Sequence, residues 1–243
     1  MRQSGTREEF EETLAKLPLR ERKKILTRRK LIRVAVELFL ERGYDQVSVA
    51  EIAAAADVSK MTVFNYFGTK DDILLSPMEE HIGDAAKAVC ERAPGETPLA
   101  ALHRDFLERV AALDASVGMS DEPIVLKLRS LIEETPVLLS RALVFRRRST
   151  ALLAAALAEE TGDPVTARLV AAQLGAVGDA ISEENRRLLL EGRPLDEVAA
   201  NAVQVAGRAF ALVEHGLAGY AVKEAKGEKE AKEAKGEKEA AAS

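Results

Sequence analysis

The 243-residue chain carries 35 basic and 40 acidic side chains, and its net charge of −5 argues against a protein that coats nucleic acid over its whole surface. Apolar residues make up 47% of the chain, enough for a sizeable core, but no apolar run approaches the roughly 18 residues of a membrane span. The single cysteine, Cys90, excludes an internal disulfide, and the N-terminal residues lack the apolar region of a secretory signal, so we expect a cytoplasmic protein.

Charge is distributed unevenly along the chain. Between Arg20 and Lys70 there are eleven Lys and Arg against six Asp and Glu, a local excess of five positive charges on an otherwise acidic protein. Such a distribution indicates one end that meets a polyanion. Residues 20–30, RERKKILTRRK, contribute seven of these basic side chains. The first of these residues belong to a charged N-terminal arm, which is predicted over residues 1–26.

Three helices are predicted over residues 28–42, 49–56 and 60–66. Residues that favour helix ends lie at their boundaries, namely Gly43, Ser48, Glu51 and Ser59. Ser48 and Glu51 have the spacing of a capping box. The second and third helices are short and are joined at Asp57 by a tight turn, so they must cross steeply, which is typical of a helix-turn-helix unit.

The third predicted helix has two faces of different composition. One face is apolar and is expected to dock on the first two helices: Val63, Phe64 and Phe67. The other has nothing beneath it: Lys60, Met61, Thr62, Asn65 and Tyr66. Lys, Thr and Asn can address base edges, Met can meet a thymine methyl, and a Tyr hydroxyl can hold a phosphate. A solvated helix face explains each residue alone, but together with the caps, the short turn and the basic segment they favour DNA binding.

Residues 27–74 resemble the DNA-binding domain of TetR-type bacterial transcriptional regulators. The resemblance rests on a helix ending in LF…RGY, followed by SVAEIAAAADVS and by T-x-F-x-Y-F-x-x-K; Asp57 stands where glycine is common, and Asp tolerates left-handed geometry. It implies a DNA-binding domain over 27–75, a homodimer on palindromic half-sites, and repression relieved by a small-molecule effector in a body cavity. The residues predicted to contact DNA, from their chemistry and from the resemblance, are Arg28, Arg29, Ser48, Ser59, Lys60, Met61, Thr62, Asn65, Tyr66 and Lys70.

The remaining body, 76–222, is predicted to be an effector-binding and dimerisation domain, so the chain as a whole is all-α with about nine helices. Segments 165–185 and 195–219 are rich in small residues, and each glycine inside a helix costs about 1 kcal/mol relative to alanine. Close approach of a second chain would offset that cost, and packing within one chain would also explain the pattern. The predicted dimer interface comprises Ala172, Gly175, Gly178, Ala202, Ala206 and Ala209.

The apolar stripes of the central helices suggest an effector site. The candidates, each of which also fits an ordinary core position, are His103, Phe106, Leu128, Phe145 and Leu152. The segment FRRRS, 145–149, is either a solvated face paired with Glu159 and Glu160 or a site for an anionic effector such as an acyl thioester. The three histidines are too scattered for a metal site, and no catalytic or phosphate-loop motif is present, so we expect no enzyme, metal or cofactor.

Three functions remain open from the sequence: a ligand-responsive repressor, a ligand-independent DNA-binding protein, and a helical small-molecule carrier or enzyme. The basic segment argues against the carrier or enzyme, and the long acidic body argues against a purely architectural DNA protein. The C-terminal residues 223–243 repeat KEAKGEKEA and carry almost no apolar side chain, so this tail is expected to be disordered.

Overall fold

A computed structural model of the chain describes residues 14–216, and within that range the fold is helical with no strand, which confirms the predicted all-α class. Part of the predicted arm and all of the repeat tail, 223–243, lie outside the described residues. The helices are α1 (Leu19–Arg42), α2 (Val49–Ala55), α3 (Lys60–Tyr66), α4 (Lys70–Glu79), α5 (Asp84–Cys90), α6 (Pro98–Ala111), α7 (Pro123–Glu134), α8 (Pro136–Thr161), α9 (Pro164–Leu190) and α10 (Leu195–His215), with a 3-10 turn at Ala115–Val117.

The first helix is longer than predicted. It spans the 24 residues Leu19–Arg42, so the basic segment 20–30 is the first half of α1 and not an extended arm. This segment contains no Gly or Pro and is dominated by Arg, Lys, Leu and Glu, which all have good helix propensity. Pro18 precedes the helix at a position where a missing N–H costs nothing.

Proline and capping residues start the long body helices. Thr97 Oγ1 accepts a hydrogen bond from the Ala100 N–H at 3.1 Å, and Asp163 Oδ1 accepts from the Val165 N–H at 3.0 Å. Thr135 makes no such bond, so only proline marks the start of α8. These signals explain why the starts of α6, α8 and α9 are predictable from sequence.

Helix α4 connects the helix-turn-helix unit to the body and runs unbroken through Pro77. Proline disfavours helical geometry at the residue before it, so the sequence predicts a kink or break at 76–77, but the helix ends only after Glu79. Proline removes one backbone donor, but its fixed φ is compatible with a helix. No helix among the described residues is long and apolar enough to cross a membrane.

Two separate cores hold the molecule together. The second is built mainly by α6, α8, α9 and α10, with Val89 of α5. The first contains the buried residues of α1–α4, and four buried residues from α7 and α8 also belong to it: Leu131, Ile132, Leu138 and Ala142. Helices α1–α4 thus share their core with part of the body.

Candidate nucleic-acid interface and ligand cavity

The helix-turn-helix is closed by local hydrogen bonds. The Glu51 N–H donates to Ser48 Oγ at 3.3 Å and the Ser48 N–H donates to Glu51 Oε2 at 2.8 Å, so the predicted capping box is present. The Ser48 backbone bond, with help from Arg42, lowers the pKa of Glu51 to about 2. Asp57 has φ 55°, the left-handed geometry expected of it. The turn at Asp57 is closed by the Val58 N–H, which donates to the carbonyl of buried Ala53 at 3.0 Å.

The outward face of α3 differs from the prediction at two aromatic positions. Phe64, predicted to dock inward, is 43% exposed, whereas Tyr66, predicted to face outward, packs against the first core with its ring 6.3 Å from that of Phe67. At 100° per residue, Phe64 and Tyr66 lie on opposite sides of Val63, and either could share its face. The side of α3 that carries Tyr66 is the one that packs on the first core.

The exposed face of α3 therefore consists of Lys60, Met61, Phe64 and Asn65. Lys60 Nζ lies 5.7 Å from the Phe64 ring centroid, within cation–π range. Thr62 is half-buried, and its hydroxyl lies 2.8 Å from Ser59 Oγ at the helix start. Thr62 thus helps fix the start of α3, and the four exposed side chains are better placed to meet a base edge.

The two predicted arginines of α1 lie beside acidic groups. Arg28 forms a salt bridge with Glu80 just after α4, and its guanidinium lies 5.7 Å from the Phe67 ring centroid. Burial lowers the pKa of Arg29, and nearby Glu122 opposes that shift. The phosphate contacts of both arginines stay a prediction. For Arg28, a DNA phosphate would have to compete with the Glu80 carboxylate for the guanidinium.

Lys70 begins α4 and points into the fold. Its ammonium donates to the carbonyls of Tyr44 at 2.8 Å and Val47 at 3.2 Å, and it lies 3.9 Å from the Tyr44 ring centroid. The Tyr44 hydroxyl bonds Asp71, and burial followed by this bond raises the Tyr44 pKa. Lys70 therefore fixes the turn that leads into α2, and one of its three donors is left for the predicted phosphate contact.

A cavity of about 400 Å³ lies within the body, bounded chiefly by α4, α6, α7, α8 and α9. Three of the five predicted effector residues line it: Phe106, Leu128 and Phe145. The other two do not. Leu152 is 41% exposed, and His103 lies behind the wall, its ring stacked on that of Phe210 at 4.7 Å. Both lie on helices that border the cavity, but hydrophobic periodicity alone does not show which side of each helix the cavity occupies.

Charged side chains line the cavity in two groups. Arg109 lies in one group and contacts Asp84 at 2.8 Å and Asp105 at 2.9 Å. The other contains three arginines, of which Arg146 contacts Asp179 at 3.0 Å. The predicted pairing of 145–149 with Glu159 and Glu160 is not found for Arg146, and Glu160 instead pairs with Arg92. Among the described residues, no cluster of His, Cys, Asp and Glu could hold a metal ion.

Most of the predicted dimer residues lie inside the chain. Ala202 and Ala206 are fully buried in the second core, and Gly175 and Gly178 line the cavity. For Ala202 and Ala206 the prediction is wrong, because a fully buried side chain cannot contact a second chain. Gly175 and Gly178 face the cavity, which favours the alternative of packing within one chain. Ala209 is half-buried against the second core.

Ala172 alone of the six predicted dimer residues is exposed. It belongs to an apolar stripe along α9, comprising Val165, Leu169, Ala172 and Ala176, and α10 exposes Ala200, Val203 and Gly207. The helical spacing of the α9 stripe was visible in the sequence. It could have separated the outward face of α9 from the cavity face.

The chain matches known proteins over the helix-turn-helix and well beyond it. Residues 31–76 match the family described as bacterial regulatory proteins, tetR family. The chain is 36% identical to HTH-type transcriptional regulator TcmR of Streptomyces glaucescens over 174 residues, which are 68% of this chain and 76% of TcmR. It is 43% identical to the fatty acid metabolism regulator protein of Bacillus subtilis (strain 168) over 53 residues, 22% of this chain and 27% of that protein. The crystal structure of NalD, the secondary repressor of the MexAB-OprM multidrug efflux pump in Pseudomonas aeruginosa, is 20% identical, covers 75% of this chain and 96% of its own, and has a TM-score of 0.49.

Proposed function

This chain belongs to the TetR family of bacterial regulatory proteins and is a DNA-binding transcriptional regulator, and from that premise we propose that it is a cytoplasmic, homodimeric repressor released by a small molecule. The operator then consists of two palindromic half-sites, each read by one α3. In a two-fold dimer the two α3 helices enter successive major grooves about 34–36 Å apart.

Base reading is assigned to the exposed face of α3. Asn65 can make a bidentate contact with adenine, Lys60 can reach guanine acceptors, and Met61 and Phe64 can pack against thymine methyl groups. Ser48 and Ser59 cap the starts of α2 and α3, where backbone N–H groups can bind phosphate.

The exposed apolar stripe of α9, with the exposed face of α10, supports a homodimer. Leu169 and Val165 are 62% and 57% exposed, and each would be stabilised by burial against a second copy. Gly207 on α10 has open space where a Cβ would be, which allows a partner helix to approach closely.

The observation that carries the ligand-release proposal is the composition of the cavity wall. Leu74, Pro77 and Met78 of α4 line the same cavity as Phe106 and Phe145 of the body. A ligand in the cavity therefore touches the helix that ends the DNA-reading unit. The ligand can release the protein from DNA only if it binds the DNA-free conformation more tightly than the DNA-bound one. DNA must then weaken ligand binding by the same factor by which the ligand weakens DNA binding.

Filling the cavity tests this connection without knowledge of the natural ligand. A Cβ at Gly178 would meet no atom within 4 Å, so Gly178→Phe places a ring in the cavity, while Ala155→Phe on an exposed surface of α8 is the control. Binding to DNA upstream of the protein's own gene is measured by fluorescence anisotropy, with dimerisation followed by sedimentation. We expect Gly178→Phe to remain dimeric and to change operator affinity by about tenfold or more, a coupling of common size. Wild-type affinity with a filled cavity would refute the connection.

A further inference from the structure

We propose that the cavity binds an organic acid with an apolar, ring-containing body, and that Arg129, Arg146 and Arg186 hold its carboxylate. This inference rests on the proposed function, because it names the chemical class of the ligand for the same cavity.

The three arginines form one charged patch on the cavity wall. They come from α7, α8 and α9, and all three line the cavity. The Arg186 side chain is 13% exposed and that of Arg129 is 24% exposed. Burial lowers the pKa of Arg186, and the neighbouring charge of Arg129 lowers it further. Glu183 and Glu133 act in the opposite direction, and Arg146 again lowers it. Like charges are thus held close together in a partly buried place, where an anion would relieve their repulsion.

The acidic partners of this patch leave donors available on the cavity side. Arg129 Nε contacts Glu133 Oε1 at 3.2 Å. Arg186 Nη2 donates to Glu183 Oε2 and lies 3.6 Å from Glu133 Oε1. Both glutamates are exposed and neither lines the cavity. Arg129 Nη1 donates at 3.5 Å to Met78 Sδ, a weak acceptor. A carboxylate is a much better acceptor for that N–H than a thioether.

Asp179 shows that this place accommodates a carboxylate. It lines the cavity and contacts Arg146 Nε at 3.0 Å. Burial raises the Asp179 pKa, although Arg146, Arg129 and Arg186 all act to lower it. A ligand carboxylate entering the patch would compete with Asp179 for Arg146, so removing the Asp179 charge should strengthen acid binding.

The rest of the wall orients such a ligand. Arg109 is already bound by Asp84 and Asp105, and Asp114 lines the same region, so this second group has an excess of negative charge and disfavours an anion. Apolar side chains occupy much of the remaining wall, including Phe106, Leu128, Phe145, Leu153 and Phe210. An aromatic or alicyclic body packed on these residues would present its acid to the three arginines.

The test compares 2-naphthoic acid with its neutral isostere 2-naphthamide by titration calorimetry at pH 7 on the full-length protein. We expect the acid to bind about tenfold or more tightly than the amide, the ratio that one charge-assisted hydrogen bond supplies. Arg129→Gln and Arg186→Gln should remove most of that preference without weakening the amide. Asp179→Asn should strengthen acid binding, which a merely structural role of Asp179 would not predict. The control is Arg104→Gln. Arg104 is an exposed arginine of α6 that pairs with Glu96, and its replacement should change neither titration.

Equal affinity for acid and amide, or no detectable binding of either, would overturn the inference. So would a preference for the acid that survives both arginine substitutions. DNA binding by each variant is measured on the same samples, and circular dichroism confirms that each is folded. An operator response to Gly178→Phe without any preference for the acid would refute the ligand class while leaving the repressor function intact.

Discussion

Arg141 of α8 donates from Nη2 to Oδ1 of Asp72 on α4 at 2.6 Å, joining two residues 69 positions apart in the chain. The same guanidinium contacts Asp71 at 3.2 Å. Although burial acts in the opposite direction, hydrogen bonds from Thr69 and Arg141 keep the pKa of Asp72 below its usual range. The first turn of α4 is therefore held by the body as well as by its own capping box with Thr69.

Replacing Arg141 with alanine should loosen this connection more than it destabilises the fold. The salt bridge is partly exposed, so the free energy of unfolding should fall by only about 1 kcal/mol. The change in operator affinity caused by Gly178→Phe should shrink in the double variant, because cavity and α4 are then less strongly coupled. Anisotropy titrations of the two single variants and the double variant measure this. Unchanged coupling would show that the cavity acts on α4 by another route.

Phe64 and Tyr66 offer a matched test of the α3 orientation. Phe64→Ala should leave the thermal midpoint nearly unchanged and weaken operator binding, because this ring is exposed on the proposed DNA-reading face. Tyr66→Ala should lower the midpoint, because that ring packs on the first core. Thermal denaturation and anisotropy on cognate and scrambled DNA distinguish the two effects. The opposite pattern would mean that α3 is rotated relative to the structure.

Lys60 and Lys70 should respond differently to the same substitution. Lys60→Ala removes an exposed charge from the proposed base-reading face of α3. We expect it to weaken binding to operator DNA more than to scrambled DNA and to leave the free energy of unfolding nearly unchanged. Lys70→Ala instead removes the donor to Tyr44 and Val47, and should lower the free energy of unfolding by about 2 kcal/mol. Titrations of operator and scrambled DNA at several salt concentrations, together with urea denaturation, compare the two variants. If Lys70→Ala lowered the slope of log affinity against log salt concentration by about one unit with unchanged stability, Lys70 would instead be assigned to DNA.

Two substitutions on α9 distinguish the proposed dimer surface from the cavity wall. Leu169→Glu places a charge on the exposed stripe and should yield monomers that bind operator poorly. Gly175→Leu should remain a dimer, since a Cβ there would point toward Thr150 at 3.4 Å and the cavity. Analytical ultracentrifugation measures the oligomeric state of both variants. A dimeric Leu169→Glu would move the interface away from this face of α9.

The Glu51 capping box predicts a pH dependence of stability. The pKa of Glu51 in the folded protein is about 2, below the 4.5 of an unperturbed glutamate. A lowered pKa means that the ionised carboxylate stabilises the fold above pH 4.5 and that this contribution is lost as the pH falls toward 2. Glu51→Gln should therefore lower the thermal midpoint at pH 7, and the difference from the wild type should narrow steadily below pH 4.5. A constant difference across that range would mean that the charge of Glu51 is unimportant.

Local signals made the helix-turn-helix predictable. Ser48, Glu51, Ser59 and Asp57 act through contacts within a few residues, and their roles follow from side-chain type and spacing. Contacts between residues far apart in the chain were harder to predict from the sequence. Gly175 and Ala206 suit a contact between chains as well as one within a chain, because a small side chain permits close approach without naming the neighbour. The arginine patch brings together three residues that are separated by 57 positions or fewer in sequence but whose convergence depends on how α7, α8 and α9 pack.

The shared first core limits how this protein can be divided and recombined. Because Leu131, Ile132, Leu138 and Ala142 complete the core beneath α1–α4, a fragment ending near residue 76 would expose the apolar surface that these four side chains cover. A chimaera that joins α1–α4 to the effector body of another protein would therefore also need α7 and the start of α8. Otherwise it would need side chains of matching shape at those four positions. Exchange of operator specificity between relatives should be simpler through the few exposed side chains of α3, which leave that core untouched.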